Sequence, residues 1–262
     1  MDPGYAAHYR DLHARHWWWR AREAVVAREL RRWKPDGGWR RALDVGCGDG
    51  LHFPLLLKHA DAVEGIEPDA ALLGVDPATG TVQREGGTIH VRPFDEGFAP
   101  GRTYDLIVFL DVLEHLDDPE TALAQAFDLM EPGGLLLITV PAYMHLWTTH
   151  DDLNRHVTRY TIPKLRGLLE GAGFRTLHTR HFFRWVHGAK LVQRAVESAI
   201  SRQPAPPRVP PGPINALARW FSTMEDHALR SVPLGVGSSI LAVFSLPGLD
   251  HHAEGARESG SR

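Results

Sequence analysis

The stretch Arg41–Leu51, R-A-L-D-V-G-C-G-D-G-L, constrains the fold of this 262-residue chain more than any other. Ala42, Leu43 and Val45 form a short apolar run of the kind that is buried as a strand. Gly46, Gly48 and Gly50 then alternate with Cys47 and Asp49, and the apolar, helix-compatible segment Leu51–Leu57 follows. Strand, glycine turn and helix together present free backbone N–H groups to a ligand. The glycines are needed where the turn visits positive φ and where a ligand approaches the backbone with no Cβ in the way. A dinucleotide-binding turn spaces its glycines G-x-G-x-x-G; the third would fall at position 51, which is Leu51. Asp44, a carboxylate before the first glycine, would also repel a pyrophosphate. Both features speak against an NAD(P)-dependent oxidoreductase.

Downstream, Asp61–Ile66 reads as a second strand ending at Glu67, which lies 23 residues after Asp44, about one strand–helix–strand unit. A carboxylate at that strand tip can accept ribose hydroxyl protons in Rossmann-type folds. Residues 69–87 hold a poorly patterned helix and a Gly/Pro-rich connection, and Thr88–Arg92 gives a third short strand. Tyr104–Leu110 is apolar on both faces, as a central parallel strand should be. A helix from Pro119 to Met130 is closed by Pro132-Gly133-Gly134, and Leu135–Val140 supplies a fifth strand. Strands alternating with helices predict an α/β, doubly wound parallel sheet.

Three stretches carry a resemblance over roughly residues 41–141: D-x-G-x-G-x-G from Asp44, D-V-L-E-H-L-D-D-P from Asp111, and E-P-G-G-L-L-L-I from Glu131. They resemble the class I S-adenosylmethionine (SAM)-dependent methyltransferases. The run H-D-x-x-x-R-H-V-T-R-Y-T from His150, followed by a helix and Gly171-Ala172-Gly173-Phe174, is similar to a bacterial small-molecule branch of that family. The resemblance implies a Rossmann-like seven-stranded sheet of order 3-2-1-4-5-7-6, strand 7 antiparallel, with helices on both faces. It implies SAM as cofactor and S-adenosylhomocysteine (SAH) as product. Asp44 would help hold the methionine ammonium, beside Gly46, Gly48 and Gly50, and Glu67 would hold the ribose. Asp95, next to Phe94, would bind the adenine amino group, with its neighbour Glu96 as the alternative. Asp111 and His115 would lie beside the cofactor.

Residues 1–40 are expected to form a helical cap. Over 5–33, Trp18, Ala21, Val25, Val26, Leu30 and Trp33 share one side, while Arg20, Arg22, Arg28, Arg31 and Arg32 supply the wet face. The run His16-Trp17-Trp18-Trp19-Arg20 either packs on the sheet edge or covers a sulfonium cofactor, where cation–π attraction is available. In the second case Arg22 or Arg20 reaches the cofactor carboxylate. In the core, 41–184, the loop 142–161 after the fifth strand should face the acceptor. Tyr143, Trp147, Arg155, Arg159 and Tyr160 are candidate acceptor contacts, and the arginines point to an anionic acceptor; the competing structural reading pairs Asp151 with Arg155 or Arg159. His115, His150 and His156 are candidate general bases, unless the acceptor is a carboxylate that needs none. His150, Asp151 and His156 lack the tight spacing of metal ligands on one helix face, and no metal is expected.

Pro163–Glu170 reads as a helix and Arg175–Phe183 as a sixth strand. Residues 185–238 form a helical insertion before strand 7: one stripe holds Leu191, Val192 and Val196, another Ile214, Leu217, Phe221 and Met224. The segment Gln203–Pro213 between them, with six prolines, is a stiff connector. A lid, a dimer interface and attachment to a membrane surface or partner protein compete as uses, and a homodimer is the expected one. The final strand lies in 239–249, and the polar tail 250–262 should be disordered.

A net charge of −3 gives no reason to expect a nucleic-acid partner. There is no run of about 18 apolar residues to span a membrane and no apolar signal-peptide region at the N-terminus. A single cysteine, Cys47, excludes an intramolecular disulfide and fits a reducing, cytoplasmic setting. The expectation is a SAM-dependent methyltransferase acting on a small molecule in specialised metabolism. A SAM-binding protein without transfer activity stays open, because Asp44, Glu67 and Asp95 would bind cofactor rather than perform chemistry.

Overall fold

Strand residues alternate between two apolar cores, one on each face of a single sheet. The computed structural model describes residues 3–76, 78–200, 207–232 and 235–246. Its strands are β1 (Trp39–Val45), β2 (Ala60–Ile66), β3 (Thr81–Arg84), β4 (Gly87–His90), β5 (Tyr104–Leu110), β6 (Met130–Pro141), β7 (Arg175–Phe182) and β8 (Ser239–Ser245). They are ordered β3-β4-β2-β1-β5-β6-β8-β7. The pairs β1–β2, β1–β5, β2–β4 and β5–β6 are parallel, while β8 is antiparallel to both β6 and β7. Without β3 this is the order that the resemblance implies.

The eighth strand is a correction. Thr81–Arg84 pairs antiparallel with β4 in the segment read from sequence as a connection. The turn is the two-residue Glu85-Gly86, with φ of +46° and +84°. Such a turn is usually announced by Asn or Asp before the glycine; here Glu85 takes the left-handed position, so the signal is hidden. The strand is also polar and half-exposed at the sheet edge, which removes the apolar pattern.

The helices are α1 (Pro3–Arg15), α2 (Trp17–Trp33), α3 (Phe53–Leu56), α4 (Ala70–Leu73), α5 (Pro119–Leu129), α6 (Thr149–Leu153), α7 (Ile162–Gly171), α8 (Arg184–Ile200) and α9 (Gly212–Leu229). On one face of the sheet Val25, Val26 and Leu30 of α2 pack with Ala42, Leu106, Val108 and Leu137. On the other, Leu123 and Ala126 of α5 and Leu165 and Leu169 of α7 pack with Leu43, Ile107, Phe109 and Leu136. The period-two alternation of the strands thus feeds both layers.

The single helix expected over 5–33 is broken at His16. That residue is extended (φ −76°, ψ 134°), and its ring nitrogen accepts from the Trp18 N–H, capping α2. No glycine or proline marks the break. A second correction concerns the wet face of α2: Arg22 is 2% exposed, because its charge is paired inside the protein with Asp111.

Asp226 ties α9 to the body by ion pairs with Arg28 of α2 and Arg180 of β7. The apolar stripes of the insertion face outward: Val192 is 66% exposed, Ile214 60%, Leu217 63% and Trp220 59%. Among the described residues no helix is long and apolar enough to cross a membrane. The expected disorder of 250–262, the end of the final-strand segment (247–249) and most of the first half of the proline-rich connector lie outside the described residues.

Candidate active site

The carboxyl ends of β1, β2 and β5 meet at the glycine turn. Gly46, Gly48 and Gly50 all have positive φ (+67°, +55° and +73°), and a Cβ on Gly46 would sit 2.7 Å from the Val112 side chain. Asp44 is 1% exposed, and its Oδ2 has no hydrogen-bond partner among the described residues; His52 Nδ1 lies 3.7 Å from it. A buried carboxylate oxygen of this kind suits a cationic ligand group. Glu67, at the end of β2, accepts from the Gly48 N–H (3.1 Å) and the Asp69 N–H (3.0 Å). Its position beside the turn fits a ribose. Phe94 packs edge-on against Phe109, and Asp95 is partly exposed, accepting from the Gly97 N–H (3.0 Å) and Arg92 (3.2 Å).

Asp111 follows β5 with a φ of +60°, a sparsely populated conformation for a non-glycine residue. Its Oδ1 accepts from Thr139 (3.0 Å), and its other oxygen pairs with Arg22. Arg22 also meets His52 Nε2 (3.1 Å) and lies over the Trp18 ring. It is a fixed element of the wall rather than a free arm.

Beyond Asp111 opens a cavity of about 410 Å³, walled by Trp17, Trp18 and Trp19 from α2, by Trp185 and Lys190 from α8, and by Glu114, His115, His150 and His156. Trp17 packs on Trp185, and its N–H donates to Asn215 of α9, so the aromatic run joins α2 to the insertion. Burial, then Arg159, brings the Lys190 ammonium down to about 8. Desolvation at the cavity wall and then Lys190 bring His150 down to about 4. His115, although exposed over part of its surface, is lowered in the same direction by desolvation of its ring and by His156. Both rings are therefore neutral at pH 7. Glu114 is fully buried, and burial together with the Asp111 charge pushes its carboxyl up.

The loop beyond β6 is built around Asp151, at 0% exposure. Thr148 caps α6 through it, Arg159 clamps it at 2.8 and 3.0 Å, and His156 Nδ1 lies 2.8 Å from its Oδ1. Arg159 also donates to the Ala142 carbonyl. With Nδ1–H donating to Asp151, the His156 Nε2 lone pair is left for other chemistry.

Not every residue singled out from the sequence comes together. His115, His150, His156 and Arg159 line the cavity; Tyr143, Trp147, Arg155 and Tyr160 do not. Tyr160 is in the core and donates to the Leu113 carbonyl, while Arg155 is exposed. Among the described residues the group that converges at metal-ligand distance is Glu114, His115 and His156, rather than His150, Asp151 and His156. Sequence reasoning missed Glu114, Trp185 and Lys190. The adjacency of Glu114 and His115 after a buried strand was a visible signal for the first; nothing local marked the other two.

A family profile described as a methyltransferase domain matches residues 14–179. A probable S-adenosylmethionine-dependent methyltransferase of Mycolicibacterium smegmatis is 27% identical over 199 residues, covering 72% of this chain and 74% of that protein. The ubiquinone biosynthesis O-methyltransferase of Coxiella burnetii is 28% identical over 100 residues, 38% of this chain and 43% of that one. The fold is shared with the N-methyltransferase NodS of Bradyrhizobium japonicum, solved with SAH, at a TM-score of 0.51 and 16% identity, covering 88% of each chain. With its D-x-G-x-G-x-G turn, its sheet order and a match over more than half its length, this chain belongs to the class I SAM-dependent methyltransferases.

Proposed function

We propose that this methyltransferase acts on a small acceptor held in the cavity between the tryptophans of α2, helix α8 and the loop after β6. The observation that carries the proposal is that one cavity is lined by Asp111 and Arg22 together with His115, His150 and His156. Bound SAM supplies an activated methyl group and departs as SAH. Asp44, Glu67, Asp95 and the glycine turn are assigned to cofactor binding, and Asp111 and Arg22 to the wall beside it. His156, oriented by Asp151, is assigned to taking the acceptor proton at Nε2, the role of a base held by a third group. His115 and His150, neutral at pH 7, are the alternates. An anionic acceptor is supported by Lys190, still largely charged at pH 7, in place of the arginines. A biosynthetic role in the cytoplasm agrees with one buried free thiol, Cys47.

The test is calorimetry with SAM, SAH and NAD, followed by transfer of labelled methyl to an acceptor panel. Wild type is expected to bind SAM and SAH. Glu67→Ala is expected to weaken both by about 1.5–3 kcal/mol, the loss of a charge-assisted hydrogen bond. Binding of NAD instead, or an unaltered affinity in the variant, overturns the assignment. SAM binding with no transfer to any acceptor favours a non-catalytic SAM-binding protein.

The outward stripes of α8 and α9 support pairing of two copies. Sedimentation at micromolar concentration is expected to give a dimer that Leu217→Asp and Trp220→Asp split; a wild-type monomer excludes it.

A further inference from the structure

We propose that Glu114, His115 and His156 bind one divalent first-row transition-metal ion, open to the acceptor cavity. Their ligand atoms all lie within 4.8 Å of one another. Bonds of about 2.0–2.2 Å to a metal place two ligands up to about 4.4 Å apart, so small side-chain rotations close the set on an ion. Two imidazoles and one carboxylate suit iron, manganese, cobalt or zinc better than magnesium or calcium, which prefer oxygen alone. Three protein ligands also leave coordination positions free.

Two independent observations point to a cation. Glu114 is 0% exposed, and neither carboxylate oxygen has a hydrogen-bond partner among the described residues. Around it Asp111 pairs with Arg22 and Asp151 with Arg159, so the nearby guanidinium charges are already matched. Buried charges are tolerated when paired or when they coordinate a metal, and Glu114 has the second option.

The other observation is the support behind the His156 imidazole. His156 Nδ1 is bonded to Asp151, which is itself held by Arg159 and by the Thr148 N–H at 2.8 Å. A carboxylate on the far nitrogen is the arrangement that fixes the tautomer of a metal-binding histidine, and it leaves Nε2 as the ligand atom. The His115 ring lies edge-on to that of His156, with centroids 4.7 Å apart. An ion here would orient and polarise an acceptor oxygen entering from the cavity; with Nε2 of His156 committed to the ion, the role of base would fall to His150 in the same cavity.

Metal-stripped full-length protein, without SAM or acceptor, is titrated with Co²⁺ by visible absorption and with Zn²⁺ by calorimetry. One equivalent is expected to bind with saturable d–d bands. Glu114→Gln, which keeps the side-chain shape, and His156→Ala should each weaken binding roughly tenfold or more. The double variant His145→Ala/His187→Ala removes an imidazole pair elsewhere, with rings 5.4 Å apart, and should bind as wild type does. The absence of saturable Co²⁺ binding, or wild-type affinity in Glu114→Gln, overturns the proposal. Since the readout needs neither SAM nor turnover, its failure leaves the acceptor reading standing, and the failure of that reading leaves the metal site standing.

Discussion

Arg159→Ala is expected to destabilise the protein by about 3–5 kcal/mol, the effect of removing one partner from a buried, hydrogen-bonded ion pair. Arg159 is 3% exposed and makes two bonds to Asp151, which no longer has a guanidinium beside it in the variant. At roughly 2–4 °C per kcal/mol for a chain of this size, the melting midpoint should fall by about 6–20 °C. Arg159→Lys keeps the charge but not the two-pronged geometry and should lose less. Calorimetric melting decides the matter. An unchanged midpoint with a raised acceptor KM would return Arg159 to the contact role read from sequence.

The same pair makes stability depend on pH. Burial alone would raise the Asp151 carboxyl, but the His156 hydrogen bond and the Arg159 charge outweigh it and hold the group well below the ordinary carboxylate range. A depressed folded-state pKa gives stability that is complete above the unfolded value, near 4, and is lost as pH falls through the folded one. The wild-type midpoint should therefore decline below about pH 5, and less steeply in Arg159→Ala, where the depression is smaller.

His156→Ala is expected to lower kcat by about 10²–10⁴, the usual contribution of a positioned base. The loss is expected whether Nε2 takes the acceptor proton itself or holds an ion that polarises the acceptor. His156 lines the cavity proposed for the acceptor, while Asp44 and Glu67 are assigned to the cofactor, so the SAM dissociation constant should be unchanged. His150→Ala serves as comparison. If His150→Ala loses the activity and His156→Ala keeps it, the base assignment moves to His150. Asp151→Asn should lower kcat while leaving the alanine variant unaffected, because Asp151 acts on the reaction through the ring that it orients.

The main strands, the glycine turn and the positions of Asp44, Glu67 and Asp111 were legible in the sequence from local rules: an apolar run of strand length, glycines where φ is positive, a carboxylate where a strand ends. The sheet order was legible only through the family resemblance. Edge strand β3 was not legible, because it is polar and its turn carries Glu85 where Asn or Asp is usual. The break at His16 escaped for a similar reason, since a side-chain cap replaces the expected glycine or proline.

The wall of the cavity proposed for the acceptor depended on long-range charge pairing. In sequence Arg155 and Arg159 are alike, either of them able to pair with Asp151, and Arg22 is one more cation on a helix. Only the tertiary structure pairs Arg22 with Asp111, leaves Arg155 exposed and selects Arg159 as the partner of Asp151. It likewise buries Glu114 with no hydrogen-bond partner among the described residues, brings His115 to His156 across 41 residues of chain, and sets Lys190 in the wall. The sequence by itself determined the family and which residues gather at the strand ends, because backbone conformation and strand-end position are encoded within a few residues. The fold decided which charges of the cavity wall are paired, because the state of a buried charge depends on which distant groups are packed against it.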